Sequence, residues 1–278
     1  MAMTGREDRR GVYDRSSGRL GRALAVLRER GPMEPFRLVR EHGLRASARF
    51  VGRNVRHMIA DRLARRWDRV HGVDTAGSIQ LAMLDVVGPN RDKGNECVCT
   101  SPKSFGFIMK ALPRDLSDAT FIDIGSGKSR TLLLASHYPF KAIVGVEFAR
   151  ELVAIARRNI AAYRSPSQMC RTLSVVEGDA AAYAFPDTPL VVYFYNPFSK
   201  DVFDTVLDNL VASLRGTPRR CFVIYGSSSH QAIDWARPAI RASGMFEELA
   251  APRMPGFLDA VRRIDYAVFR FDPAGRRA

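Results

Sequence analysis

Phe121-Ile122-Asp123-Ile124-Gly125-Ser126-Gly127-Lys128-Ser129-Arg130 is the stretch that decides how the other residues of this 278-residue chain are read. Thr120–Ile124 is a short, mostly apolar run of strand length. Two glycines then turn the chain, and Thr131–Tyr138 has a helical pattern. A strand that enters a glycine loop and opens a helix places a ligand site at the carboxyl edge of a parallel sheet.

Downstream, strand-like runs alternate with helical ones. Strands are expected at Thr120–Ile124, Ala142–Glu147, Leu173–Glu177, Leu190–Tyr195, Cys221–Tyr225, Phe246–Leu249 and Tyr266–Phe271. Helices are expected at Thr131–Tyr138, Arg150–Tyr163 and Val202–Leu214, with a shorter connection at Ala180–Ala184. Apolar strands separated by helices predict an α/β fold, a doubly wound, mostly parallel seven-strand sheet covered on both faces. No helix separates the last two strands, so they are expected to pair antiparallel at one edge.

Three ligands fit a glycine loop, and details separate them. Gly127-Lys128-Ser129 looks like the end of a nucleoside-triphosphate loop, but five residues before Gly127 stands Ile122, not glycine. Strand four ends Tyr193-Phe194-Tyr195-Asn196, without an acid to help hold Mg²⁺. A dinucleotide fingerprint would want glycine where Arg130 stands. Asp123, just before the loop, would also repel a phosphate. The acid suits a ligand that brings donors or positive charge.

Asp123-Ile124-Gly125-Ser126-Gly127 resembles the first motif of the class I (seven-strand, Rossmann-like) S-adenosylmethionine-dependent methyltransferases, and the likeness runs over roughly residues 119–271. The resemblance implies that Gly125, Ser126 and Gly127 approach the cofactor's amino-acid moiety and that Asp123 receives its ammonium. Ser129 stands where glycine is common in that family. Ile143-Val144-Gly145-Val146-Glu147 resembles the second strand, whose terminal acid accepts the ribose hydroxyls. Glu147 lies 24 residues after Asp123, near the ~20 expected in a ribose-binding βαβ unit. Gly178-Asp179-Ala180 resembles the segment whose acid contacts the adenine amino group. Thr100-Ser101-Pro102 falls where such enzymes carry a loop over the cofactor, so Thr100 is expected against the methionine carboxylate.

Tyr195-Asn196-Pro197-Phe198 closes strand four, where the family performs its chemistry. It resembles the Asn-Pro-Pro-aromatic motif of enzymes that methylate amine nitrogens, with one proline rather than two. An attacking nitrogen must be uncharged and aimed at the methyl. Asn196 Oδ1 and the Tyr195 or Pro197 carbonyl would accept its hydrogens, and Phe198 would pack on the acceptor's stem or base. Within the class the chain is most similar to bacterial relatives of the non-SET protein-lysine methyltransferases. The expected function is therefore methylation of an amine-type nitrogen, as in a protein lysine. N-methylation of nucleic acid or of a small-molecule amine is the alternative. A non-catalytic nucleic-acid-binding module that retains the cofactor is a third.

Other chemistry lacks support. His137 and His230 have no triad partner at a recognisable spacing, and Ser126 is not in a nucleophile elbow. Cys97-Val98-Cys99 has no second pair nearby, so no metal is expected.

Ahead of the loop the chain changes character. Residues 1–72 hold 18 Arg, no Lys and 8 acids, which is +10 of the chain's +14. We expect this Arg-rich helical extension, a connector and cofactor lid over 73–118, and the catalytic domain over 119–278. The first 16 residues are polar and without period, so disorder is expected there; helices are expected over 17–30 and from about Leu44 to Val70. In the second, Leu44, Ala48, Val51, Val55, Met58/Ile59, Leu63, Trp67 and Val70 would form a buried stripe, with Arg45, Arg49, Arg53, Arg56, Arg62 and Arg66 largely opposite. That stripe needs a partner, most simply the main domain or a second copy, which would make a dimer. The arm's charge suits nucleic acid, anionic lipid or an acidic partner. In the connector, Ser78–Val87 reads as a helix, capped by Asp74–Gly77 unless those four residues belong to a substrate lid, and Gly88-Pro89-Asn90 as a turn; Ser104–Leu112 reads as a further helix.

With 46% hydrophobic and 26% charged residues the composition is globular. No stretch reaches the ~18 apolar residues of a membrane span. Residues 1–10 lack a signal peptide's apolar core, and Glu7, Asp8 and Asp14 argue against a transit peptide. Four cysteines make no disulfide scaffold, so a reducing cytoplasm is expected.

Overall fold

The computed structural model describes residues 55, 58–77, 79, 93–94, 99–227, 230–249 and 265–276. The chain divides into two compact units, Met1–Ala60 and Asp61–Ala278. Residues 61–72 therefore belong with the second unit, twelve residues short of the expected boundary. In the first unit Val55 and residues 58–60 are helical. The expected disorder of the first 16 residues, the helix over 17–30, the part of the second helix before Val55, the Ser78–Val87 helix (Ile79 apart) and the Gly88-Pro89-Asn90 turn lie outside the described residues.

The second unit opens on α1, residues 61–71. The core follows as α2 (Pro102–Ile108), β1 (Thr120–Ile124), α3 (Arg130–Ala135), β2 (Ala142–Glu147), α4 (Arg150–Ala162), β3 (Leu173–Glu177), β4 (Leu190–Tyr195), α5 (Lys200–Gly216), β5 (Cys221–Ser227), α6 (His230–Ala242), β6 (Glu247–Leu249) and β7 (Asp265–Phe271). A 3-10 turn over Ala180–Ala182 follows β3.

The seven strands lie in the order β3-β2-β1-β4-β5-β7-β6. The first five are parallel, and β7 runs antiparallel between β5 and β6. This is the doubly wound, mostly parallel sheet the strand–helix alternation predicts, with the antiparallel pair at the expected edge. Central strands are buried throughout, which is why they read as unbroken apolar runs. Alternate side chains of β1 and β4 feed opposite faces: Ile122, Ile124, Val192 and Phe194 pack toward α5 and α6. Phe121, Val191 and Tyr193 pack toward α2, α3 and α4.

Successive connections leave β1 in one direction toward β2 and β3, then return past it to β4. The crevice outside the carboxyl ends of β1 and β4 is thus the switch point at which such sheets bind ligands.

Two local features escaped the pattern. Helix α6 carries Pro238 in its interior, a residue that reads as a breaker. Helix α1 is rotated from its expected phase. Leu63 and Val70 of the proposed stripe are exposed, as are Val55 and Ile59 in the first unit, whereas Ala64 and Asp68 are buried. The rotation follows from Asp68, whose carboxylate pairs with Arg130 below the helix.

Candidate functional site

Asp123 and Glu147 end adjacent strands with their carboxyl groups inside the protein, 3% and 4% exposed. Between them runs the glycine loop. Gly125 and Ser126 donate their backbone N–H groups to the Val146 carbonyl at 2.9 and 3.1 Å, which binds the loop to β2. That contact needs Gly145, because a Cβ there would meet Ser126 Oγ at 2.5 Å. Gly125 sits at φ +78°, and a Cβ there would stand 2.6 Å from Pro197 Cβ. The first glycine thus lets the loop touch the turn that ends β4.

One cavity is walled by all the residues expected at the site. Thr100, Asp123, Gly125, Ser126, Gly127, Glu147, Asp179, Ala180, Asn196, Pro197 and Phe198 line it, together with Thr75, Ile79, Cys99, Lys128, Arg130, Thr131, Phe148 and Leu152 among others.

The two acids differ in company. Burial pushes the Asp123 carboxyl up to about 8, a hydrogen bond from Thr131 pulls it back, and Glu147 nearby pushes it further. Among the described residues no basic side chain pairs with it. Burial also raises Glu147, but there three backbone N–H groups counteract it. Gly127 N–H donates to Oε2 at 2.8 Å, and Phe148 and Ala149 N–H donate to Oε1 at 3.0 Å each. Of a carboxylate's roughly four lone-pair sites, these leave about one for a ligand.

At the far end, Asp179 Oδ1 accepts from Ala181 N–H at 2.9 Å and caps the 3-10 turn. Phe148 follows Glu147 and, with Ile79, packs on Ala149 and Leu152. Thr100 is 2% exposed; its Oγ1 lies 3.3 Å from Thr131 Oγ1 and 3.4 Å from the Tyr193 hydroxyl. Among the described residues no hydrogen-bond partner reaches the buried Ser126 Oγ.

At the end of β4, Asn196 has φ +45°, a conformation asparagine tolerates better than most residues. Its Oδ1 accepts from the Tyr225 hydroxyl at 3.5 Å, a long bond. Phe198 is 8% exposed and packs edge-on against Phe194, so its ring serves the core as well as the cavity wall. Residues 93–94 are tied to this turn: Gly94 bridges Phe198, and Ser199 N–H donates to the Lys93 carbonyl at 2.9 Å.

Two of the loop residues that departed from known patterns, Lys128 and Arg130, have structural partners. Ser129 takes the left-handed conformation, φ +68° and ψ +27°, which favours glycine. Lys128 Nζ donates to Asp74 Oδ1 at 3.0 Å and the Ala76 carbonyl at 2.8 Å. Arg130, 3% exposed, donates to Asp68 Oδ1 at 2.7 Å, the Ala64 carbonyl at 3.0 Å and Thr75 Oγ1 at 2.5 Å. Its guanidinium lies 4.6 Å from the Trp67 ring centre. Sequence reasoning assigns Asp74–Gly77 to a helix cap or a substrate lid, and it misses Ile79 and the fastening made by the two cations, whose partners lie 52 to 66 residues away.

No protein-family profile matches the sequence, and no curated protein does. Solved structures of similar fold include precorrin-6y C5,15-methyltransferase from Geobacter metallireducens GS-15, at 14% identity and TM-score 0.46, over 69% of this chain and 94% of that one. The 23S rRNA methyltransferase ErmE matches at 14% identity and TM-score 0.44, over 62% and 68%. An RNA methyltransferase from Salinibacter ruber, in complex with S-adenosyl-L-homocysteine, matches at 17% and 0.40, over 63% and 92%. At such identities the likeness is one of fold.

Proposed function

We propose that this chain is an S-adenosylmethionine-dependent methyltransferase whose acceptor is an amine-type nitrogen. The observation that carries the reading is Asp123: a buried carboxyl, facing a cavity at the sheet's switch point, with no cation beside it among the described residues. Such a group costs free energy until a positive ligand arrives. The cofactor's ammonium is that ligand. Ser126 Oγ, buried and unpartnered among the described residues, is a second polar group that a ligand in this cavity would satisfy.

When bound, S-adenosylmethionine supplies a methyl group on a sulfonium. Asp123 holds the amino-acid end, with Thr100 and Ser126 beside it. Glu147 offers its remaining acceptor site to one ribose hydroxyl. Phe148 and Leu152 cover the base, and Asp179 and Ala180 border its edge. The Asn196 side chain and the carbonyls of Tyr195 and Pro197 accept hydrogens from the acceptor amine and aim its lone pair. The Gly125–Pro197 contact keeps this turn in register with the cofactor loop, so that both reactants share one rigid frame. A protein lysine suits the single-proline motif, and nucleic acid or a small-molecule amine remains the alternative acceptor. A cytoplasmic location belongs to the same reading, from the free Cys99, Cys170 and Cys221. No helix among the described residues is long and apolar enough to cross a membrane.

Calorimetry with S-adenosylmethionine tests the cofactor, and no binding by the wild type overturns the reading. Asn196→Ala is expected to keep cofactor affinity within about twofold and to lower turnover on the order of 100-fold, the scale of a misdirected nucleophile. An unchanged rate removes Asn196 from the chemistry. Tritiated-methyl transfer into fractionated cell extract identifies the acceptor: label in protein supports lysine, and label in RNA or small molecules supports the alternative.

A further inference from the structure

The stretch 73–77, with Ile79, lies before the expected catalytic domain, yet Thr75 and Ile79 line the same cavity as the glycine loop. What holds it there is unusual for a connector. Thr75 is 2% exposed. Its N–H and hydroxyl both donate to Asp68, to Oδ2 at 2.8 Å and Oδ1 at 2.6 Å, and Ala76 N–H donates to Oδ2 at 2.6 Å. Arg130 completes the knot by donating to Asp68 Oδ1 and Thr75 Oγ1. One hydroxyl therefore gives a hydrogen bond to the acid and receives one from the base, and no apolar side chain can do both.

A second fastening lies one residue to either side. Lys128 reaches Asp74 and the Ala76 carbonyl. Asn159 of α4 pairs with the backbone of Asp74 in both directions, N–H to Oδ1 and Nδ2 to carbonyl, each 2.8 Å, and gives a further bond to the Lys128 carbonyl at 2.9 Å. The glycine loop, α4 and the connector are thus joined through one asparagine. Beyond the knot, Ile79 packs with Phe148 on Ala149 and Leu152, immediately after the acid that ends β2.

We propose that residues 73–77 and Ile79 are a fixed wall of the nucleoside end of the cofactor pocket, and that Thr75, Arg130 and Lys128 are positioning residues that fasten it. The two loop cations are spent on this fastening rather than on an anionic ligand. That accounts for a Gly-Lys-Ser sequence in a loop without a phosphate-binding shape. A buried ion pair is a poor source of net stability but a strong constraint on geometry once made, since removing one partner strands the other. The proposal rests on the reading of the cavity as an S-adenosylmethionine site, with Glu147 toward the ribose and Asp123 toward the amino acid.

Binding by the full-length chain of two probes, adenosine and S-adenosylhomocysteine, tests it by calorimetry, with thermal unfolding in the absence of ligand as a control. Ile79→Ala is expected to weaken both probes by about tenfold, the scale of a few methylenes lost from an apolar contact, with little change in unfolding temperature. Thr75→Val is expected to weaken both similarly, and Thr75→Ser, which keeps the bridging hydroxyl, to restore both to within about twofold of wild type. Asp123→Asn serves as the contrast: it weakens S-adenosylhomocysteine and leaves adenosine unchanged. Wild-type affinity for adenosine in both Ile79→Ala and Thr75→Val overturns the proposal while leaving the cofactor reading intact. Loss of affinity in Thr75→Val that Thr75→Ser fails to restore assigns the effect to general damage and overturns the positioning role. No binding of either probe by the wild type overturns the cofactor reading and this proposal with it.

Discussion

Asp123 and Glu147 end neighbouring parallel strands and are sealed from solvent to the same degree, yet they have opposite hydrogen-bond surroundings. Three backbone N–H groups converge on Glu147; Asp123 has Thr131 to lower its carboxyl's affinity for the proton. Glu147 is therefore already used by the protein itself. It ties Gly127 to the start of α4 and gives the loop its shape. Among the described residues no cation pairs with Asp123, and burial holds the proton on its carboxyl to about pH 8. Burial alone does not distinguish a structural acid from a ligand-binding one; the supply of donors does.

The sharpest way to break this contrast is to remove each charge in turn. Asp123→Asn is expected to weaken S-adenosylmethionine roughly 10- to 100-fold, the scale of a charge-assisted hydrogen bond. The same change should raise the stability of the unliganded protein at pH 7 by on the order of 1–3 kcal/mol, because folding no longer has to take up the proton that buried Asp123 requires there. Glu147→Gln should do the reverse to stability, lowering it by about 1–3 kcal/mol, since an amide nitrogen would face a backbone donor. Denaturant unfolding checks both signs, and two variants that shift the same way would end the distinction.

Titration sharpens it next. With its carboxyl pushed up to about 8, folded Asp123 keeps a proton that the unfolded chain releases near pH 4. The native state thus binds more protons between those values, and stability falls as pH rises from about 4 to about 8. Affinity for a cationic cofactor should move the other way, rising by at most about tenfold per pH unit toward pH 8 as the carboxylate forms. Calorimetry between pH 6 and 8 measures this, and Asp123→Asn should flatten it. A slope that survives the substitution belongs to another group.

The smallest expected effect lies between the two acids. Ser129 is left-handed, and among the described residues no partner reaches its buried hydroxyl. Ser129→Gly should stabilise by about 1 kcal/mol, or roughly 3 °C in Tm for a chain of this size. Cofactor affinity should stay unchanged, because the backbone path through Gly125 and Gly127 is kept. A lower Tm would mean that Ser129 has a favourable role that its geometry does not suggest.

Much of the fold was legible before any coordinates. Buried parallel strands leave apolar runs such as Leu190–Tyr195, amphipathic helices leave a period near 3.6, and glycine marks the turn where the two meet. That the expected residues other than Thr100 would line one cavity was legible for the same reason: they follow the ends of strands that the pattern had already placed, whereas Thr100 lies just ahead of α2. Helix α6 was not, because Pro238 interrupts a pattern that tertiary packing tolerates. The phase of α1 was not either. Leu63 and Val70 have the hydrophobicity of a core stripe, but the ion pair between Asp68 and Arg130 turns them outward.

By itself, the sequence determined the strand order's raw material, the glycine loop and the acids at the strand ends, since each depends on residues close along the chain. Only the tertiary structure decided which acid lacks donors and where Lys128 and Arg130 are spent. Those outcomes depend on partners 52 to 66 residues away, and on which backbone groups remain unpaired once the sheet has formed. Local pattern places a charge at the site, but packing decides whether the protein or a ligand will satisfy it.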